Sequence, residues 1–458
     1  MEDMKNGKRS SFSGKLGYVL AAAGASVGLG NIWRFPYLAA KYGGGIFLII
    51  YIVLALTFGY TMIVAETAIG RMTRKSPVGA FKSFGKKKWL SFGGWINAVI
   101  PVLIVPYYSV IGGWVIKYLV EYFRGNAKLL AEDGYFTDFI SNGVSTELCF
   151  VAFCAFTLII IFAGVQNGIE RVSKIMMPIL IVLSVIIAVY SVTRPGALAG
   201  VKYFLVPNVK NFSWMTVVSA MGQMFYSLSI AMGILITFGS YMKKDTAIED
   251  STRNVEVFDT GIAIMAGLMI IPAVFAFSGG DPDTLQAGPS LMFITIPKVF
   301  QNMGFGTVIG IVFFLLVLFA AVTSSIALTE SAVSTFEDEL GWGRKKATVL
   351  VGVIMLVLGS LSSLGYGPLA GIKIIGMQFL DLFDFFTNSV MMPIAALLTS
   401  LLVSRVVGID KIEEEIIHGE SAFRRKKVFV VMIKYLCPVF AIIILLSSVA
   451  NALGWIKM

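Results

Sequence analysis

Little of this chain is charged or chemically reactive. Of its 458 residues only 14% are Asp, Glu, Lys or Arg, with one histidine and three cysteines. Cys149, Cys154 and Cys437 all fall in apolar runs and form neither a metal-ligand spacing nor a disulfide framework. His418 lies in a charged loop, where it is expected to be solvated. With no histidine and no paired cysteines in the apolar segments, the nucleophile–base or metal constellation of a membrane enzyme is missing. Low-complexity stretches and a separate second domain are also lacking. What remains is 57% hydrophobic, with a mean hydropathy of +0.82. That composition is an integral membrane protein rather than a soluble domain, and an all-α fold of membrane helices is expected. The formal charge of +10 does not point to nucleic acid, because the basic residues gather in alternate loops.

Hydropathy predicts about eleven spans, at 14–38, 46–70, 92–123, 147–164, 169–193, 214–241, 256–277, 306–336, 347–365, 372–404 and 428–455. Several exceed the minimum of about 20 residues, so tilt is expected. The first apolar segment is too long for a signal-peptide core and no cleaved leader is expected. Basic residues near the start (Lys5, Lys8, Arg9), after span two (Arg71, Arg74, Lys75, Lys82, Lys86 to Lys88) and after span ten (Arg405, Lys411, Arg424 to Lys427) set the orientation. They predict a cytoplasmic N-terminus and, after eleven crossings, an extracytoplasmic C-terminus. The outer segments 124–146 and 278–303 carry the acids Glu132, Asp133, Asp138, Asp281 and Asp283. Ser290 to Gln301 is predicted to fold as a short helix over the outer mouth.

Span one contains Gly24-Ala25-Ser26-Val27-Gly28-Leu29-Gly30-Asn31-Ile32-Trp33-Arg34-Phe35-Pro36. Its glycines disfavour an unbroken helix. Such a run also suits a close helix-packing face. A break at membrane depth is tolerated only where the freed backbone is buried in protein or lines a polar cavity. Free carbonyls there suit a cation, and N–H groups at a new helix start suit a carboxylate. Span six offers a second interruption, from Gln223 through Tyr226-Ser227-Leu228-Ser229 to Gly233. Spans one and six each open a five-helix half. Interrupted helices at matching positions of two halves point to the binding site of a secondary transporter. The halves are placed at 14–193 and 214–404, with an additional helix at 428–455.

The run from Gly28 to Pro36, followed by Gly43-Gly44-Gly45 and Tyr51, resembles the neurotransmitter:sodium symporter family, in its bacterial amino-acid branch. Tyr107-Tyr108, the span-six core, Ala320 to Ser325 and Phe336 to Leu340 extend the resemblance over nearly the whole chain, although a twelfth span is missing. The resemblance implies the leucine-transporter fold, two inverted five-helix repeats with helices 1 and 6 unwound at mid-membrane, and a place in the cell's inner membrane. It also implies sodium-coupled uptake of an amino acid. The N–H groups of Leu29 and Gly30 and the Tyr108 hydroxyl would hold the carboxylate. Carbonyls of Ser26, Tyr226 and Ser227, with the Ser229 hydroxyl, would meet the ammonium. Two sodium ions are implied, and hard cations prefer oxygen ligands. One maps to Ser26, Asn31, Ser227 and Asp259, and the other to Gly24, Val27, Ala320, Thr323 and Ser324.

Asp259 stands where asparagine is common in the family. Tyr51, Gln223 and Ser227 match the anion site of chloride-using relatives, but Ala263 replaces an expected serine. The Asp259 carboxylate would then supply the negative charge, and no chloride is required. Ile104, Tyr108, Tyr226, Ser229, Met232, Ser324 and Leu328 would line the side-chain pocket. Gly28 lies where amine-transporting relatives carry an aspartate, which favours substrates that bring their own carboxylate. Met232, often phenylalanine in relatives, can repack around varied ligands. Large hydrophobic L-amino acids are therefore expected. Another small zwitterion is the alternative. A channel is disfavoured because the intramembrane polar groups cluster near one depth. Arg34 with Asp384 would form an outer ion-pair gate, and Arg9 with Asp338 and Tyr241 an inner one. Glu66 is read as support for the broken helices. Gly168 and Pro178 resemble a pair at which relatives unwind helix 5.

Overall fold

The structure is a computed structural model describing residues 9–279, 288–452 and 455. Lys5, Lys8, Asp281 and Asp283 lie outside these residues. All regular elements among the described residues are helices. We label those used below α1 (Lys15–Ser26), α2 (Gly30–Lys41), α3 (Gly45–Thr73), α4 (Lys88–Phe123), α5 (Gly143–Phe162), α6 (Val165–Val192), α7 (Trp214–Ser227), α8 (Ile234–Tyr241) and α9 (Ile248–Ser278). There follow α10 (Leu291–Gln301), α11 (Gly306–Leu340), α12 (Arg344–Leu364), α13 (Phe379–Val407), α14 (Ile409–Ile417) and α15 (Lys426–Asn451).

Nine of the helices are long and apolar enough to cross a membrane, and α1 with α2 makes a tenth span bent by 52°. The expected sixth span is present as α7 and α8, two shorter helices separated by residues 228–233. The short helix expected at Ser290 to Gln301 forms as α10. Span ten begins at Phe379, later than the expected 372, because Ile374 and Met377 pair in a tight turn ahead of it. The nine-residue helix α14 was not expected, its charged face hiding it from a hydropathy window.

The broken helices sit at the centre. α1 is packed by α6, α9 and α11, α8 by α3, and α7 by α3 and α15. The long helices α4 and α11 run along each other behind the break. The outer helices leave apolar rows exposed, including Leu148, Ile159, Val182, Val189, Val353, Val357 and Leu446. Such continuous apolar surface fits contact with lipid.

Candidate functional site

The breaks are held open by each other and by α3. α1 ends at Val27, whose N–H still bonds Ala23 O at 2.7 Å, and the chain turns before α2 begins. Between α7 and α8, Ser229 and Ala231 adopt φ of 52° and 59°, which is unfavourable for residues with a Cβ. Both are tied down. The Ser229 hydroxyl donates to Ala25 O at 2.8 Å, and the Ala231 N–H donates to Glu66 Oε1 at 2.7 Å. Glu66 thus supports the broken backbone directly, as its place in span two suggested.

A cavity of about 30 Å³ lies between the breaks. Of the predicted substrate residues it is lined by Ser26, Leu29, Gly30, Ile104, Tyr108, Tyr226, Ser229, Met232, Ser324 and Leu328, joined by Ala25 and Gly28. Ser227 is not among the lining residues, and its hydroxyl donates to Asp259 Oδ1 at 2.8 Å. One wall is polar: the Leu29 N–H donates to the Tyr108 hydroxyl at 3.4 Å. Ile104, one turn from Tyr108 on α4, together with Met232 and Leu328 makes the rest of the lining apolar. The glycines let these walls approach. A Cβ at Gly28 would lie 2.6 Å from Ser324 Oγ and 3.1 Å from the Tyr108 hydroxyl, and one at Gly30 would strike the Tyr226 ring.

Beside the cavity, Asp259 is fully buried. Its Oδ1 also accepts from Asn31 Nδ2 at 2.8 Å, and its Oδ2 accepts from the Tyr51 hydroxyl at 2.8 Å. These donors are all uncharged, so the ionised carboxylate would be a buried charge without a compensating one, which is costly. Asn31 Oδ1, on the same cluster, is a buried acceptor with no partner. A cation satisfies both. Gln223 reaches Gly30 O through Nε2 at 3.0 Å and does not touch Asp259. On the other side of α1, Ser324 Oγ donates to Ala25 O at 3.1 Å and lies 3.3 Å from Gly24 O. Thr323 Oγ1 donates to Phe319 O at 3.0 Å and lies 3.2 Å from Ala320 O. A Cβ at Gly24 would lie 3.1 Å from Thr323. The oxygens of Gly24, Ala320, Thr323 and Ser324 are therefore gathered at one level, with Val27 at the break itself.

The two ends differ from each other. Arg9 binds Asp338, and reaches Ser240 Oγ at 3.1 Å and Ser334 Oγ at 2.8 Å, with its guanidinium 5.1 Å from the Tyr241 ring. Beneath it, the Tyr241 hydroxyl donates to Glu330 at 2.7 Å, and Arg344 grips the same carboxylate at 2.6 Å. The Glu330–Arg344 pair was missed; an ionisable residue inside apolar span eight was its signal. At the other end Arg34 and Asp384 do not make the expected ion pair in this structure, which is a correction. Arg34 sits 5.3 Å over the Tyr226 ring. Asp384 is engaged elsewhere, by the Tyr107 hydroxyl at 3.1 Å and Asn388 Nδ2 at 2.5 Å. Gly168 lies at the start of α6. It is wound into a π-helical turn, Val165–Glu170, that continues into the helix carrying Pro178.

The Sodium:neurotransmitter symporter family profile matches residues 9–129 and 136–455. The chain belongs to this family. It is a sodium-dependent, multi-pass membrane transporter and not an enzyme. The transporter is 34% identical over 450 residues to the uncharacterized sodium-dependent transporter YhdH of Bacillus subtilis, covering 97% of this chain and 99% of that one. It is 26% identical over 474 residues to the sodium- and chloride-dependent GABA transporter 2 of Homo sapiens, covering 89% of this chain and 75% of that one. The crystal structure of MhsT in complex with L-phenylalanine superposes with a TM-score of 0.86 at 34% identity, over 96% of this chain and 100% of that one.

Proposed function

We propose that the transporter takes up large hydrophobic L-amino acids, with phenylalanine, tyrosine, tryptophan and leucine as the leading candidates, driven by inward sodium movement and without chloride. The observation that carries this reading is the lining between the breaks, which sets the Leu29 N–H and Tyr108 hydroxyl beside the apolar Ile104, Met232 and Leu328; at about 30 Å³ the cavity must widen around a large side chain. The N–H groups opening α2 favour a carboxylate, and the apolar wall favours a hydrophobic side chain. The likeness to MhsT, solved with L-phenylalanine, supports the same reading.

One sodium ion would sit with the Ser26 carbonyl, Asn31, Ser227 and Asp259. A second would sit with Gly24, Val27, Ala320, Thr323 and Ser324. Asp259 would balance their charge and that of the substrate ammonium, in place of a bound anion. The Arg9 end would face the cytoplasm and the C-terminus the exterior, in agreement with the basic loops. Residues 14–193 and 214–404 would be inverted repeats, rocking about the central site to expose it alternately to the two sides. Unwinding around Gly168 would open a path for the second sodium to leave, and Pro178 would ease it by removing one backbone donor.

Proteoliposomes containing the full chain test the proposal. Labelled phenylalanine should accumulate under an inward sodium gradient, equally with chloride or gluconate as the anion. Ser324→Ala should abolish that sodium dependence, and Asp259→Asn should lose uptake or become anion-dependent. Competition by glycine, alanine or γ-aminobutyrate stronger than by all four large amino acids would overturn the substrate assignment. Collapse of wild-type uptake in gluconate would overturn the role given to Asp259.

A further inference from the structure

Helix α6 carries Gln166, Glu170 and Lys174 at four-residue intervals, and all three reach the same chain segment. That segment leads into α1. Gln166 Nε2 donates to Ser11 O at 2.7 Å. The Ser13 N–H donates to Glu170 Oε2 at 2.8 Å, and the Ser13 hydroxyl donates to Glu170 Oε1. Lys174 Nζ donates to Glu170 Oε1 at 2.6 Å and lies 3.3 Å from Ser13 Oγ. Lys243 adds a bond to Ser13 O at 2.7 Å. Gly17 completes the seat, since a Cβ there would run into the Glu170 carboxyl group. Glu170 is buried in this contact, whereas Lys174 is 39% exposed.

The seat depends on how the start of α6 is wound. Glu170 is the last residue of the π-helical turn. That turn holds about one more residue than an α-helical turn, and one residue rotates a side chain by roughly 100° about the axis. Unwinding the turn would therefore carry the Glu170 carboxylate away from Ser13 and Gly17. At its far end, α1 delivers Gly24 and Ala25 to Ser324 and Ser229. A shift at Ser13 to Gly17 is thus carried along a rigid helix into the site.

We propose that Glu170 is a positioning residue for transport, the centre of a latch that ties the entry of α1 to the winding of α6. Release of α1 then requires that turn to change. The latch deepens the transport reading and rests on it for its role in the cycle.

Hydrogen exchange on the full chain in lipid nanodiscs, in sodium and in choline, reads the latch without any substrate. Glu170→Gln keeps the size of the side chain and removes its charge. It should raise exchange of residues 9–17 by about tenfold or more, the effect of losing charge-assisted bonds. The remote helix α14 should be unchanged. Gly17→Ala, which leaves the carboxylate present but displaces it, should give the same signature. The double variant should be no worse than either single one, because both break one contact. Sodium half-saturation should rise in both variants while the unfolding temperature holds. Unchanged exchange at residues 9–17, an equal rise in α14, or additive effects in the double variant would each overturn the latch. Failure of phenylalanine uptake would instead overturn the substrate reading and leave these exchange results standing.

Discussion

At one end of the bundle, Arg9 joins the chain entering α1 to α8 and α11 through Asp338, Ser240 and Ser334. At the other, Arg34 touches a ring on α7, and the carboxylate of Asp384 is spent on Tyr107 and Asn388 within the α4–α13 side. There the joining contacts are aromatic. Phe293 of α10 stacks on Phe136 at 5.1 Å between ring centroids, and meets Trp33 at 6.5 Å and Trp114 at 5.8 Å edge-on. The two closures respond differently to damage. A directional ionic network fails as a whole, because removing one member strands the others without partners. An aromatic cluster loses area piece by piece.

The largest effect should come from Arg9→Ala. It leaves Asp338 with the Ser76 N–H alone, at 2.6 Å. With side-chain exposures of 14% and 24%, the Arg9–Asp338 pair is not fully desolvated, so the expected cost is about 2 kcal/mol. Uptake should fall by more than about tenfold, and exchange of residues 9–14 should rise. If uptake is unchanged in proteoliposomes, the network is not a closure.

Phe293→Leu should be milder. It keeps an apolar side chain and forfeits the ring contacts, about 1 kcal/mol. The expected change is a few-fold weakening of substrate retention, measured as dissociation of labelled phenylalanine; a loss as large as that of Arg9→Ala would erase the contrast.

Asp384→Asn separates the two readings of the outer end. The amide can still bond the Tyr107 hydroxyl, so uptake should change by less than about threefold, the scale of one neutral hydrogen bond. A loss above tenfold would show that Asp384 meets Arg34 as an ion pair during the cycle. Lys298→Ala should do the least. Its partner Asp133 is 92% exposed and screened by solvent, so uptake and unfolding temperature should both match the wild type.

Much of the scaffold was legible in advance. Span positions followed from hydropathy, and the two breaks followed from glycines and hydroxyl residues inside otherwise apolar runs. Most of the cavity lining followed from motif resemblance. What escaped was side-chain direction. Ser227 was grouped with Asp259 by resemblance, but the direction of its hydroxyl, which bonds Oδ1 at 2.8 Å, depends on how α7 meets α9. Arg34 and Asp384 were paired by resemblance, which does not reveal the competing donors Tyr107 and Asn388. The π-helical turn holding Gly168 escaped because its glycine reads equally as a weak point or as a close approach, and here a Cβ at Gly168 would strike Ile160 O.

The sequence by itself determined that the chain lives in a bilayer, where its apolar segments lie and where two of them must break. These are local properties, set by some 20 apolar residues in a row and by backbone propensity within a turn. Only the tertiary structure decided what the freed groups meet. Glu66 caps Ala231 across 165 positions, Ser324 meets Ala25 across 299, and Glu170 seats Ser13 across 157. Such contacts depend on the packing angle and rotation of whole helices, which no local pattern records.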